Sequence, residues 1–437
     1  MTQQLSSGLF NDDAIHEAAL AAYRKGREAA AQQAYDKAIQ YYTDALFFDG
    51  TPALFRARVY EYRGQCYWLL ADFINAEQDY QASLDISNEK DQIARARVRL
   101  GELYDFRGKY EQAKKVYTQA LEEGMAAGNL LVVGRAQRGL GIINRRQGHT
   151  EQAISHLIQA LAAFREQGDA REQARVLTSL GRTRHARGEY QHALTAHHEA
   201  LTIFESLNDR WRVVQSLNDL GECHQALYDS LTAQEYHEKA LLLAEKYGAT
   251  LLKPEIQRNL GVDLVEHGRY EEGIAYLEQA LAGAQALNNR EQEALTWYNL
   301  ARSYLRFEQL DSARHAVAAL QEIAEELNAD RYRALASFVR GELYFREGHQ
   351  ANALSELNAA MLAAQTSVDR GVLWKLHATM SHVIDNEAIA NVHRTIAAEF
   401  IRQTAEPLQD TRLKQCFVQA APVTAVLLAA GIDPSKL

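Results

Sequence analysis

Along most of the chain, apolar residues recur every three or four positions rather than every two, which is the period of an amphipathic helix. Ala113, Tyr117, Ala120 and Leu121 fall at i, i+4, i+7 and i+8, and Ala193, His197, Ala200 and Leu201 repeat the stripe. Ahead of each such stripe lies another, built around a small residue. That residue falls at Gly101, Gly141, Gly181, Gly221, Gly261, Ala301 and Gly341, giving six successive spacings of 40 residues. Gly64 and Gly26 extend the series backwards at 37 and 38. Segments 99–121 (RLGELYDFRGKYEQAKKVYTQAL) and 139–161 (GLGIINRRQGHTEQAISHLIQAL) show the shared pattern.

Each period therefore predicts two helices. The first surrounds the small residue and ends near Gly108, Gly148, Gly188, Gly268 or Gly348, where the lack of a Cβ permits a left-handed C-cap. The second carries the apolar stripe. Polar joints LNDR (207–210), LNNR (287–290) and LNAD (327–330) separate the periods. Two helices sharing such a period have roughly 15 residues each, about 23 Å at 1.5 Å per residue.

This arrangement resembles the tetratricopeptide repeat. The family's small, aromatic, turn-glycine, tyrosine, alanine, aromatic and alanine positions match Gly101, Tyr104, Gly108, Tyr110, Ala113, Tyr117 and Ala120. The period is longer than the family's commoner one, and no proline follows the second helix. In both respects the chain is similar to the long-helix branch found in kinesin light chains, cell-polarity adaptors and bacterial peptide-pheromone receptors. The resemblance implies an all-α fold, a right-handed superhelical solenoid of about nine helix-turn-helix units over residues 20–365. Residues 1–19 are expected to form a polar segment or cap. Residues 366–437 are expected to hold a degenerate tenth repeat, with Ser381 in the place of the small residue, and capping helices over the last apolar face.

Composition narrows the function. With 47% hydrophobic and 24% charged residues the chain is too apolar for disorder. A formal net charge of -10 argues against wholesale binding to nucleic acid or anionic membranes. No apolar run is long enough for a membrane span, no signal peptide is visible at the start, and the three cysteines lie far apart. A soluble cytoplasmic protein is expected, of bacterial type if it follows the peptide receptors it resembles. There is no phosphate-binding glycine loop, no HExxH and no GxSxG, so no catalytic residue, cofactor or metal site is expected. His192, His197 and His198 do not have the i, i+4 spacing of helical metal ligands. His197 and His237 stand where other periods place Tyr117 or Leu157, and read as packing residues. Tyr67, Tyr104, Tyr304 and Tyr344 recur at one repeat position and read as core, as do Cys66 and Cys223.

Positive charge is nevertheless concentrated in one place, RAQRGLGIINRRQG (135–148). At 100° per residue, Arg135, Arg138, Arg145 and Arg146 share an arc of roughly 100°, with Ile142 inside it. In the family that the chain resembles, this arc of the leading helix lines the concave groove. Taken through successive periods, the arc collects Arg95, then Arg135, Arg138, Arg145 and Arg146, then Arg175, Arg182 and His185. Asn218 follows in a neutral to acidic stretch. Tyr298, Arg302 and Phe338, with Arg306, Phe345 and Arg346, make an apolar-aromatic end. The expected function is a non-enzymatic scaffold holding an extended acidic peptide or partner segment in this groove. The alternative is a peptide-responsive signalling regulator acting through a separate effector partner. Self-association stays open at this stage.

Overall fold

The computed structural model describes residues 15–367 and 370–437. Residues 1–14 of the expected N-terminal segment lie outside the described residues. Within them the fold is all-α, a succession of helix hairpins. Pairs one to three are α1 (Glu17–Ala31) with α2 (Tyr35–Phe47), α3 (Ala53–Leu69) with α4 (Phe73–Ile86), and α5 (Lys90–Phe106) with α6 (Tyr110–Ala126). Pairs four to six are α7 (Leu130–Gln147) with α8 (Thr150–Gln167), α9 (Ala170–Ala186) with α10 (Tyr190–Ser206), and α11 (Arg210–Ala226) with α12 (Ser230–Tyr247). Pairs seven to nine are α13 (Lys253–Glu266) with α14 (Tyr270–Ala286), α15 (Arg290–Arg306) with α16 (Leu310–Leu327), and α17 (Asp330–Arg346) with α18 (Gln350–Ser367). α19 (Arg370–Val383) and α20 (Glu387–Ala405) pack on one another as a tenth pair, and α21 (Thr411–Gln419) and α22 (Ala421–Ala429) follow.

The chain forms two compact blocks, Met1–Leu140 and Gly141–Leu437. In both, the hairpin is built by a missing side chain. A Cβ on Gly101 would stand 2.5 Å from the Tyr117 ring, so only glycine lets α6 lie this close to α5. In pair five, a Cβ on Gly181 would meet the His197 ring at the same distance. The aromatic partners are fully buried: Tyr42, Tyr80 and Tyr117 in the first three pairs, His197 and His237 in pairs five and six. His197 and His237 are thus packing residues, as their register predicts. Leading helices of neighbouring pairs also touch directly, α3 with α5, α13 with α15 and α15 with α17.

Turns follow the glycine pattern. Gly108, Gly148, Gly188, Gly268 and Gly348 all have positive φ, between 72° and 98°. Gln33, Ala71, Tyr228 and Glu308 take the same conformation without being glycine. In the joints between pairs, Asn208, Asn288 and Asn328 are left-handed, a conformation that asparagine tolerates better than most residues. The residue after two of them caps the next helix: Asp209 accepts from the Arg212 amide and Asn289 from the Gln292 amide.

Two placements differ from expectation. Tyr67, Tyr104, Tyr304 and Tyr344 are half-buried rather than core, because the interior place against the small residue is filled from the second helix, by a ring such as Tyr117 or by a leucine such as Leu357. Phe338 is a core residue rather than groove wall. It is 1% exposed among Ala353, Leu357 and Leu376, where a large apolar side chain one turn before Gly341 is drawn into the seam with α18 and α19.

The C-terminal segment does more than cover α20. In one core cluster Leu413, Phe417, Val418, Val423 and Leu427 join Ala397 and Ile401 of α20 to Tyr190, Leu194, Leu220 and Leu227 of pairs five and six. The last helices therefore close back on repeats some two hundred residues earlier.

Candidate functional site

Counted from the small residue of each leading helix, the positions three before, one after, and four to five after fall on one face. In the second block these faces look at one another. Arg146 of α7 hydrogen-bonds Glu291 of α15, 145 positions along the chain. Arg145 lies 4.0 Å from the same carboxylate, Arg331 lies 3.5 Å from it, and the Tyr332 hydroxyl donates to it at 2.8 Å. Burial opposes ionisation of Glu291, but Arg146, Arg145 and Arg331 together outweigh it and hold the carboxyl at about 2. For Arg145, burial, reinforced by Arg146 and Arg331, lowers the affinity for its proton.

Of the other expected arginines, Arg138 and Arg182 reach carboxylates of other pairs, whereas Arg95 and Arg175 pair within their own helix. Arg138 meets Glu102 at 3.0 Å, and Arg95 meets Asp91 at 2.9 Å. Arg175 holds Glu172 at 3.0 Å within its own helix. Arg182 bridges two pairs, reaching Asp219 at 2.6 Å and Glu255 at 3.0 Å. Arg135 is half-buried on α7. His185 contacts the Glu222 carbonyl at 3.3 Å, and burial pushes its imidazole down. Asn218 is 2% exposed and accepts from Asn259 at 3.0 Å. Glu222 collects Arg258 at 2.8 Å and Asn259 at 2.9 Å. Burial works against the Glu222 charge, yet Arg258 and Arg182 hold its carboxyl at about 2.

The basic middle of the groove is therefore largely answered from within. The arginines of pairs four and five are met by carboxylates of pairs three, six, seven and eight. Asp219, Glu222 and Glu255 lie close enough together to hold a cation, but Arg182 already reaches two of them.

Further along, the face changes character. A pocket of about 560 Å³ opens among α13, α15, α17 and α19. Val262, Leu305 and Phe345 supply apolar wall, Arg302, Glu342 and Arg346 supply charge, and Thr379 and His382 close one side. Arg302 and Arg346 are exposed, and Arg302 lies 5.8 Å from the centre of the Tyr298 ring. Among the described residues neither arginine has an ion pair or side-chain hydrogen bond, and nor does Glu342. Burial raises the Glu342 carboxyl, against the pull of Arg302, Arg346 and Lys375. Arg306, by contrast, is paired with Glu266 at 2.7 Å.

Of the sequence-predicted residues, Arg302 thus stands at a pocket, together with Arg306, Phe345 and Arg346, whereas Tyr298 lies beside Arg302 outside the lining. Glu342 and His382 were missed. Both stand one residue after the small position, the register of Arg182, Glu222 and Arg302, so reading that one column through every period finds them.

Hairpins stacked through their leading helices, with side chains meeting across the stack, define a helical-repeat protein. Family models described as tetratricopeptide repeat match residues 55–122, 132–206, 212–286 and 252–326, and again 98–157. The chain belongs to the tetratricopeptide repeat family. No curated protein matches it significantly in sequence. Among solved structures it is similar to a Rap protein complexed with competence and sporulation factor. That match has TM-score 0.60 and 12% identity, covering 80% of this chain and 100% of the other. It is also similar to the Rap conjugation gene regulator of plasmid pLS20 in complex with a Phr peptide. There the TM-score is 0.52 and the identity 16%, over 80% of this chain and 95% of the other. These likenesses concern the fold. No described helix is long and apolar enough to cross a membrane.

Proposed function

We propose that the chain is a non-enzymatic scaffold for an extended acidic peptide or partner segment, and that its carboxylates are read at the Arg302–Arg346 pocket. One observation carries this reading. On a face where Arg138, Arg146, Arg182 and Arg258 each reach a carboxylate of another pair, Arg302 and Arg346 stand in an open pocket with none of the described residues' carboxylates within ion-pair distance. An incoming carboxylate meets two guanidinium groups there, and Phe345, Val262 and Leu305 take up a neighbouring apolar side chain. Hydrogen bonds to a charged group contribute about 1.5–3 kcal/mol each when shielded from water. Two such contacts and an apolar anchor suit micromolar binding, about -8 kcal/mol after association costs. A peptide ligand agrees with the one held by the pLS20 regulator of similar fold.

The arginines of α7 have a different role in this reading. They join repeats and do not face the ligand. Titrating labelled acidic peptides by fluorescence anisotropy separates the two sets. The Arg302→Ala/Arg346→Ala double variant is expected to lose affinity by about a hundredfold, since two lost contacts of about 1.4 kcal/mol cost tenfold each. Arg135→Ala, on the same arc outside the pocket, is expected to bind as the wild type does. Unchanged binding by the double variant would sink the assignment.

A further inference from the structure

In pairs three and six, a carboxylate one residue after the small position of the leading helix is answered from the next pair. The arginine that answers it stands three residues before the next small position. Glu102 meets Arg138 at 3.0 Å and Glu222 meets Arg258 at 2.8 Å, each 36 positions further along the chain. Glu342 holds the same place in pair nine, but the position 36 residues on is Ala378. The cation that the repeat supplies elsewhere is missing there.

A nearer arginine does not replace it. Arg346 stands one turn after Glu342 on α17, and an acid followed four residues later by a base is the favourable order on a helix. Asp91 and Arg95 have that order and pair at 2.9 Å. Glu342 and Arg346 stay outside ion-pair distance, and both line the pocket with Arg302 of α15. One cavity thus presents a carboxylate and two guanidinium groups, none of them paired with a side chain among the described residues.

An acidic side chain alone suits only part of this lining. It meets the arginines, yet it sets a second carboxylate beside Glu342, whose charge burial already opposes. A ligand that also carries an ammonium group removes that repulsion. Glu342 and Arg346, four residues apart on one helix, have Cβ atoms about 5–6 Å from one another. The α-amine and the side-chain carboxylate of one amino-terminal aspartate or glutamate, only a few bonds apart, can span such a pair. A cavity of about 560 Å³ is of the size that holds small ligands, and it has room for the end of a peptide.

We propose that the pocket recognises the free amino terminus of a peptide that begins with an acidic residue: the α-ammonium docks on Glu342, as Arg138 and Arg258 dock on Glu102 and Glu222, and the side-chain carboxylate docks on Arg302 and Arg346. The inference rests on the acidic-peptide reading of the pocket and narrows it from any acidic segment to a chain end.

The test uses the full chain and two peptides labelled with fluorescein at the C-terminus, a heptapeptide opening Glu-Leu-Glu-Phe with a free amino terminus and its N-acetylated twin. Wild type is expected to bind the free-amine probe about tenfold or more tighter, the ratio that one charge-assisted contact supplies. Glu342→Gln keeps the shape of the side chain and removes its charge, and is expected to bring that ratio to about twofold or less. The Arg302→Ala/Arg346→Ala double variant is expected to weaken both probes. If wild type binds the two probes alike while the double variant weakens both, the amino-terminal assignment is overturned and the acidic-peptide reading stands. A ratio undiminished in Glu342→Gln means that the amine is read elsewhere, which overturns the assignment too. If the double variant binds both probes as wild type does, the acidic-peptide reading falls and takes this inference with it.

Discussion

Single residues carry two kinds of information here, backbone conformation and charge. Glu308 holds φ 57° at the position where Gly268 and Gly348 hold 78° and 80°. The left-handed conformation costs a non-glycine residue about 1–2 kcal/mol, and glycine's greater freedom in the unfolded chain offsets about half of that. Glu308→Gly is thus expected to stabilise by about 0.5–1 kcal/mol, read as a small rise in denaturant midpoint at unchanged slope. The reverse change, Gly268→Ala, is expected to lower the midpoint. Charge makes the stronger case. Glu291 is the carboxylate shared by Arg145, Arg146 and Arg331, and all four groups are mostly buried. Removing one partner of a buried ionic cluster costs about 3–5 kcal/mol, so Glu291→Gln is expected to destabilise on that scale in urea unfolding. Its folded pKa, about 2, lies below the ordinary 4.5. The Glu291 contribution is therefore full at neutral pH and disappears as pH falls from about 4.5 towards 2, so wild type and variant converge in acid.

At the scale of helices, the period did most of the work, and it is visible why. A glycine that must admit a ring, as Gly101 admits Tyr117, cannot drift in register, so the 40-residue spacing survives in the sequence. The turn glycines and asparagines are legible for the same local reason. Two features were not. A helical wheel gives the direction of Arg146 but cannot name what stands opposite, because Glu291 arrives from four pairs further on. A wheel also cannot tell a groove wall from a seam one turn away, which is where Phe338 went. A third local feature has a measurable consequence. His377 of α19 and His393 of α20 face each other with Nδ1 atoms 2.8 Å apart, so one donates to the other. Burial, and then His393, push His377 down to about 4, and burial lowers His393 as well. Both folded values lie below the unfolded one, so the folded pair resists protonation. The stability it contributes is complete above about pH 6.5 and is lost as pH falls towards 4. Hydrogen exchange of α19 and α20 is expected to quicken relative to the other pairs between pH 7.5 and 5. His393→Gln, which keeps a partner for His377 and removes one titrating group, is expected to blunt that change. Equal pH response in both proteins would remove the histidine pair as its cause.

At the scale of the molecule, the second block raises the question of what α21 and α22 hold together. A segment that merely capped a solenoid would touch α20 and nothing earlier. Here Leu413, Phe417, Val418, Val423 and Leu427 are all at most 4% exposed, in a cluster that includes Leu220 and Leu227 of pair six. Each such side chain contributes about 1.5–3 kcal/mol on burial, so five of them sum to roughly 10 kcal/mol. That is comparable to the whole stability of many domains, about 5–15 kcal/mol. Two expectations separate closure from capping when the chain is shortened to end at Ala405. Capping alone predicts faster amide exchange confined to α19 and α20. Closure predicts that exchange also quickens in α10, α11 and α12, two hundred residues away, because Tyr190, Leu194, Leu220 and Leu227 lose their cover. The chain should then gain exposed apolar surface and bind a hydrophobic dye. Should it be too aggregation-prone for exchange, Phe417→Ala keeps the chain length and removes the central ring. A loss of about 3–5 kcal/mol is expected from that change, with protection falling in α11 and α12 as well as in α21. Unaltered protection in α11 and α12 would mean that the C-terminal helices cap the last pair and close nothing.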